Sequence, residues 1–187
     1  MAAAGGQQTP AELLAVEMAT TNGDANGLPQ LSREGAHPRA LEALTDEFFW
    51  DASDPCGPFG NETGLDVLAA LEDRVDEPEG GPLALLDELL AKWEIANDHW
   101  DLVEADLVQD VGEEDELGLL TRDEAIIALA FAQIVFEGRV DAEVRRRAML
   151  ALARQALPAL LHGWGDRALP RAARLDRMRA VLARPWD

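Results

Sequence analysis

Apolar residues recur at three- and four-residue spacing along most of this chain, which is the period of amphipathic helices. The clearest example runs from Thr121 to Phe136. It opens with a capping-box pattern, Thr121 followed by Glu124, and Gly138 follows as a helix C-cap. Its apolar residues lie nearly all round the helical circumference, which predicts a helix in the middle of the core.

The same periodicity predicts further helices, and capping residues or prolines mark their starts. Pro158 should kink the helix after Asp141, because proline cannot donate a hydrogen bond to the carbonyl four residues back. Residues 97–108 fit a helix or a short strand, and residues 110–118 are predicted to form an acidic loop. The predicted starts are Thr9–Pro10, Pro38 (a helix to about Phe49), Thr63, Pro82, Asp141 and Pro170.

Neither a recurring strand pattern nor an internal repeat is present, so the sequence predicts an all-α fold. The expected architecture is a single-domain antiparallel helical bundle of about six or seven helices. Residues 1–38 are rich in Gly, Asn, Thr and Pro, which predicts a loose N-terminal arm. Residues 39–187 then form the helical domain.

The net charge of the chain limits the classes of molecule that it could bind. The chain has 36 acidic and 16 basic residues, a net charge of −20. Residues 1–120 hold 28 acids and 4 bases, whereas residues 121–187 hold 8 acids and 12 bases. Nucleic acids and anionic membranes would be repelled by the molecule as a whole, and a basic protein would be attracted.

Sequence features also indicate a compartment. No apolar run reaches the ~18–20 residues of a membrane span. The N-terminus lacks a basic head followed by an apolar stretch, so no signal peptide is predicted. Cys56 is the single cysteine, which excludes an internal disulfide framework. We expect a cytoplasmic protein.

The segment from Trp50 to Asp66 is the most distinctive part of the chain, with an unusual density of Gly, Pro and Asp. In a structural interpretation, Phe59 packs onto the core, Asn61 or Thr63 caps the next helix, and the glycines supply positive φ. In a functional interpretation, the segment is a binding surface. Its candidate residues are Trp50, Asp51, Asp54, Phe59, Asn61, Glu62 and Asp66.

No cofactor and no dedicated metal site are predicted. Asn22-x-Asp24-x-Asn26-Gly27 resembles the start of a calcium-binding loop, but Arg33 stands where the bidentate glutamate should be. The histidines and the cysteine lack the spacing of a zinc site. Glu113-x-x-Glu116 has half of a magnesium-binding pattern, without the Glu-x-x-Asp that should follow.

The distinctive segment resembles the signature of uncharacterised bacterial helical domains of unknown function. One such family begins with Trp-Gly-x-Gly-x-Phe and continues with Asn-Asp. A related group carries Trp-Asp-x-x-Asp…Pro-Phe-Gly-Asn-Asp-x-Gly, which is similar to Trp50-Asp51, Asp54 and Pro58 to Gly64. The resemblance covers roughly residues 48–185 and implies a small helical domain. It brings no known reaction and no catalytic residues.

The sequence supports two hypotheses from different functional classes. The first is an acidic helical protein-binding module, inhibitor- or immunity-like toward a basic partner, because complementary charge speeds encounter. The alternative is a divalent-metal-dependent hydrolase using the carboxylates of Asp51, Asp54, Glu62 and Asp66. A homodimer formed through residues 121–187 is a third possibility. The sequence leaves open whether any reaction is catalysed.

Overall fold

The computed structural model describes residues 31–74, 80–97 and 113–186. The described residues form seven α-helices and no strand, so the predicted all-α bundle is confirmed. The first thirty residues, including the predicted helix at Thr9, lie outside the described residues, as does nearly all of 97–108. The division into an arm and a helical domain stays a prediction.

The helices are α1 Pro38–Ala43, α2 Glu62–Glu72, α3 Gly81–Lys92, α4 Glu113–Glu137, α5 Ala142–Gln155, α6 Pro158–His162 and α7 Ala168–Leu182.

The long helix α4 forms the centre of the bundle, as its apolar circumference predicts. Residues 125–135 are all buried, and Leu129, Phe131 and Ile134 are fully inaccessible to solvent. Helices α1, α2, α3 and α5 pack around α4, and α7 packs against α5. No described helix is both long and apolar enough to span a bilayer.

Helix α4 begins eight residues earlier than predicted, so the prediction of an acidic loop is wrong from Glu113 to Gly118. Acidic residues are common near helix N-termini, so an acidic composition is compatible with a helix as well as with a loop. Thr121 is therefore inside the helix and not its cap, and its hydroxyl donates to the Leu117 carbonyl at 2.9 Å. The predicted C-cap is confirmed, since Gly138 has a φ of +64°.

Helix α1 ends at Ala43 and not near Phe49, because the chain turns at Leu44 (φ −95°, ψ 63°). The Leu44 carbonyl accepts a hydrogen bond from the indole Nε1 of Trp50 at 2.7 Å, which holds this turn. A short 3₁₀ turn, Glu47–Phe49, follows. The turn carries Phe49 inward, where its ring stacks on Phe131 with the centroids 5.3 Å apart.

The C-terminal helices follow the predicted pattern with one correction. Asp141 caps α5 as predicted and accepts from the Glu143 amide at 3.0 Å. Pro158 does not kink a continuous helix. Leu157 is extended, as residues before proline usually are, and Pro158 opens the separate helix α6. Helix α7 begins at Ala168, two residues before Pro170. The apolar residues of α7 that recur at three- and four-residue spacing are all buried: Leu175, Met178, Val181 and Leu182.

Candidate functional site

Trp50 and Phe59, two of the predicted binding residues, lie in the core. Their side chains are 2% and 1% exposed. The only hydrogen-bonding group of the Trp50 indole is already engaged by the Leu44 carbonyl. Both aromatic residues therefore anchor the Trp50–Gly64 segment to the bundle.

The three glycines of the segment are required for close backbone approach. A Cβ on Gly60 would lie 1.6 Å from the Asp54 carbonyl oxygen, and one on Gly64 would lie 2.4 Å from the Pro58 carbonyl oxygen. A Cβ on Gly57 would lie 2.6 Å from the Phe48 carbonyl oxygen. None of the three has a positive φ, so the expectation that they supply one is wrong. They allow the segment to fold tightly on itself.

Asn61 caps α2, which decides between the two predicted caps. Its Oδ1 accepts from the Gly64 amide at 2.7 Å, and Thr63 lies one residue inside the helix. The register buries Val67, Leu68 and Leu71. It leaves Leu65 38% exposed.

The four predicted carboxylates separate into two pairs with different surroundings. Asp51 accepts from the Ser53 amide at 2.8 Å, within a local turn. Asp54 accepts from the Cys56 amide at 2.9 Å and from Arg174 Nε at 3.2 Å. Glu62 and Asp66 are exposed on α2. Among the residues that the structure describes, no group of three or more His, Cys, Asp or Glu side chains could hold a metal ion.

Two arginines of α7 contact the Trp50–Gly64 segment. Arg174 binds Asp54, and its guanidinium lies 4.6 Å from the centroid of the Phe48 ring. Arg171 is 2% exposed, and its Nη1 donates to the Cys56 carbonyl at 3.1 Å. The sequence analysis missed Arg171. The available signal was its spacing, since Arg171 stands four residues before Leu175 on the same inward stripe.

A second buried arginine joins the helices α4 and α5. Arg154 donates from Nε and Nη2 to both carboxylate oxygens of Asp123, each at 2.8 Å. Asp123 is 0% and Arg154 1% exposed. Burial raises the pKa of Asp123, and the hydrogen bonds and charge of Arg154 oppose that rise.

Gln155 and Glu124 complete the polar cluster around Arg171. The Gln155 Oε1 accepts from Arg171 Nη2. Burial raises the pKa of Glu124, which the charge of Arg171 opposes. The ring centroid of Trp164 lies 4.7 Å from the Arg171 guanidinium carbon.

Cys56 beside this cluster is a buried thiol. Burial raises its pKa, and Asp54 raises it further, against the charges of Arg171 and Arg174. Since thiolates and not thiols are nucleophiles, Cys56 is placed for packing.

Helix α2 presents a contrasting group of charges, here called the acidic face of α2: Glu62, Asp66 and Asp73. Their spacing of four and seven residues puts them on one side of the helix. All three are exposed, and none forms a salt bridge or side-chain hydrogen bond within the part of the chain that the structure describes. The partly exposed Leu65 lies beside them.

Comparison with known proteins finds a similar protein but indicates no activity. The chain is 29% identical over 136 residues to the uncharacterized protein YfeS of Escherichia coli strain K12. The match covers 70% of this chain and 54% of that protein, so the chain spans about half the length of this relative. The expected resemblance to uncharacterised bacterial proteins is confirmed, and the signature residues stay a prediction. No protein-family model and no solved structure matches the chain.

Proposed function

We propose that the chain is an acidic helical protein-binding module, inhibitor- or immunity-like in character, that meets a basic partner through the acidic face of α2. The observation that carries this proposal is the exposure of Glu62, Asp66 and Asp73, none of which pairs with a cation among the described residues. A partner with complementary positive charge would be steered toward such a face.

The carboxylates at the C-terminal end of α2 support a role outside folding. Asp73 is the C-cap of α2 and Glu72 the last helical residue. Carboxylates at this end oppose the helix dipole, so both positions lower the stability of the helix. Burial raises the pKa of Glu72, and the neighbouring charge of Asp73 raises it further. Uncompensated repulsion is tolerated where a partner supplies the missing charge.

Some acids elsewhere in the described structure have arginine partners. Glu143 binds Arg146 and Arg147, which together lower its pKa to about 2. Asp46 accepts from Arg177 Nε at 2.7 Å. The acidic face of α2 differs from these carboxylates in being available to another molecule. For this role we expect a cytoplasmic protein without nucleic-acid partners, and this expectation is based on the sequence alone.

Charge-neutral variants test the proposal. The triple variant Glu62→Gln, Asp66→Asn, Asp73→Asn removes the acidic face of α2. The control Glu42→Gln, Glu94→Gln, Asp176→Asn removes three exposed carboxylates elsewhere, so the two variants have the same net charge. Binding of a fluorescent oligo-arginine peptide is measured at low and at high ionic strength.

We expect the α2 variant to bind about tenfold more weakly at low salt, and the control to bind almost as tightly as the original chain. High salt should weaken binding of the original chain, because exposed charges are screened. Equal losses in the two variants would show that only net charge matters, which would overturn the proposal. The metal-dependent hydrolase is not proposed, since its four carboxylates lie in separate surroundings.

A further inference from the structure

Two buried hydrogen-bond donors next to each other lack an acceptor. Arg171 is 2% exposed and Gln155 is 4% exposed. Neither the Arg171 Nε nor the Gln155 Nε2 meets an acceptor in the structure. Buried donors are nearly always paired in native proteins, and leaving one unpaired is costly. Two on adjacent side chains indicate a missing third group.

The two orphan donors belong to side chains that contact each other directly. Within a guanidinium, the N–H of Nε and one N–H of Nη2 run parallel along the same edge. Arg171 Nη2 donates to the Gln155 Oε1. The Arg171 Nε and the Gln155 Nε2 therefore belong to two side chains that bind each other, and neither has an acceptor among the described residues. Arginine N–H groups form strong, charge-assisted hydrogen bonds with carboxylate and phosphate oxygens.

The rest of the Arg171 side chain is fixed. Nη1 donates to the Cys56 carbonyl at 3.1 Å, and the guanidinium lies over the ring of Trp164. Both contacts hold the plane of the guanidinium before any ligand arrives. The positive charge is partly offset by Glu124, which lies within electrostatic range on α4. Recognition therefore depends on the two donors more than on net charge.

We propose that Arg171 and Gln155 form a buried site for one oxygen-bearing anionic group, a carboxylate or phosphate of a small ligand. The site is independent of the acidic face of α2. The oxygen accepts from Arg171 Nε and from Gln155 Nε2, which completes the hydrogen bonds of both side chains.

Anion-dependent stabilisation tests this site. The thermal unfolding midpoint is measured in sodium acetate and in sodium phosphate, each against sodium chloride at the same ionic strength. A ligand held only by the folded state raises the midpoint by mass action. We expect acetate or phosphate to raise the midpoint by a few degrees over chloride, and the anion that does so identifies the chemistry of the ligand.

Variants show whether the effect arises at this site. Gln155→Met keeps the size of the side chain and removes both polar atoms, so the anion-specific rise should disappear. Arg167→Gln removes an exposed arginine near the same cluster and should keep the rise. Loss of the rise in Arg167→Gln alone, or its persistence in Gln155→Met, would overturn the proposal.

A second measurement does not depend on any variant folding. In ¹⁵N-labelled protein, titration with the same anion should shift one arginine Nε–H resonance. That resonance is assigned to Arg171 by its contact with the Trp164 ring. An unshifted Arg171 resonance, together with equal midpoints in all three salts, would mean that the donors are satisfied by water only, and the anion site would be wrong.

Discussion

The acidic face of α2 and the buried charges of α4, α5 and α7 use the same chemical groups in opposite ways. On α2, three carboxylates are exposed to water and pair with no cation in the part of the chain that the structure describes. Inside the bundle, Asp123 and Arg154 are shielded from water and bind each other through two hydrogen bonds. A buried charge that loses its partner greatly lowers the free energy of unfolding, whereas an exposed carboxylate has little effect on it.

We therefore expect the buried charges to determine stability and the acidic face of α2 to determine binding. Substitutions at the inner charges should unfold the protein, and substitutions on the acidic face of α2 should leave it folded and change only what it binds. The Trp50–Gly64 segment belongs with the inner group, because its aromatic residues, its glycines and Asp54 are all engaged by the fold.

The largest effect is expected at the buried ion pair. Asp123→Ala leaves the Arg154 guanidinium without its bidentate partner and should lower the free energy of unfolding by about 3–5 kcal/mol. Urea titration measures it. The exposed counterpart Glu62→Ala should change the free energy by no more than about 0.5 kcal/mol.

The same comparison is sharpened by an apolar replacement of both partners. Asp123→Leu combined with Arg154→Met should recover most of the stability, because no uncompensated charge stays buried. If Asp123→Ala cost no more than Glu62→Ala, the distinction between inner and outer charges would fail.

A smaller effect is expected where the segment folds on itself. Gly60→Ala places a methyl group against the Asp54 carbonyl and should cost about 2 kcal/mol or more, since the backbone must shift. Gly118→Ala in α4 is the matched control, because nothing lies within 4 Å of its added Cβ. It should raise stability by about 0.5–1 kcal/mol. Urea titration measures both free energies of unfolding. If the two substitutions changed that free energy in the same direction, the assignment of Gly60 to a close backbone contact would be wrong.

Removing the α2 cap should cost less. Asn61→Ala takes away the acceptor for the Gly64 amide and should lower the free energy of unfolding by about 1 kcal/mol. Thr63→Ala, at the other cap that the sequence offered, should change stability by no more than about 0.5 kcal/mol. Guanidinium titration distinguishes them, and a larger loss for Thr63→Ala would mean that the helix begins later.

The smallest effect is expected at the crowded end of α2. Glu72→Gln removes repulsion from Asp73 and an unfavourable interaction with the helix dipole, so it should stabilise the protein by about 0.3 kcal/mol at neutral pH. The folded-state pKa of Glu72 is raised, so the folded state binds the proton more tightly than the unfolded state. The original chain should therefore gain stability relative to Glu72→Gln as the pH falls through that raised pKa. Thermal melts of both proteins across this range measure the difference, and a relative loss would reverse the assigned sign.

Helical periodicity predicted the bundle well because it depends on which side chains are apolar. It identified the buried face of α7 and the central helix α4. Boundaries were harder where two physical effects compete. At Glu113 to Glu116 the acidic composition indicated a loop, but acids also stabilise the first turn of a helix. At Leu44 a tertiary hydrogen bond from Trp50 ends a helix that local spacing would continue.

The polar cluster could not be found from local spacing, because its members come from distant parts of the chain. Cys56, Glu124, Gln155 and Arg171 meet only after four elements have packed. An arginine on an apolar stripe was the one signal present, and it identifies burial without naming a partner. The glycines of the segment were noticed, but their requirement for close approach depends on carbonyls that only the fold brings near.

The most direct test of this division is hydrogen–deuterium exchange of the protein alone and bound to a cationic protein partner or to the oligo-arginine peptide. We predict that binding slows exchange in residues 62–73 and leaves the Trp50–Phe59 stretch and α7 unchanged. Protection confined to α7 or to the Trp50–Phe59 stretch, with none in α2, would contradict the account.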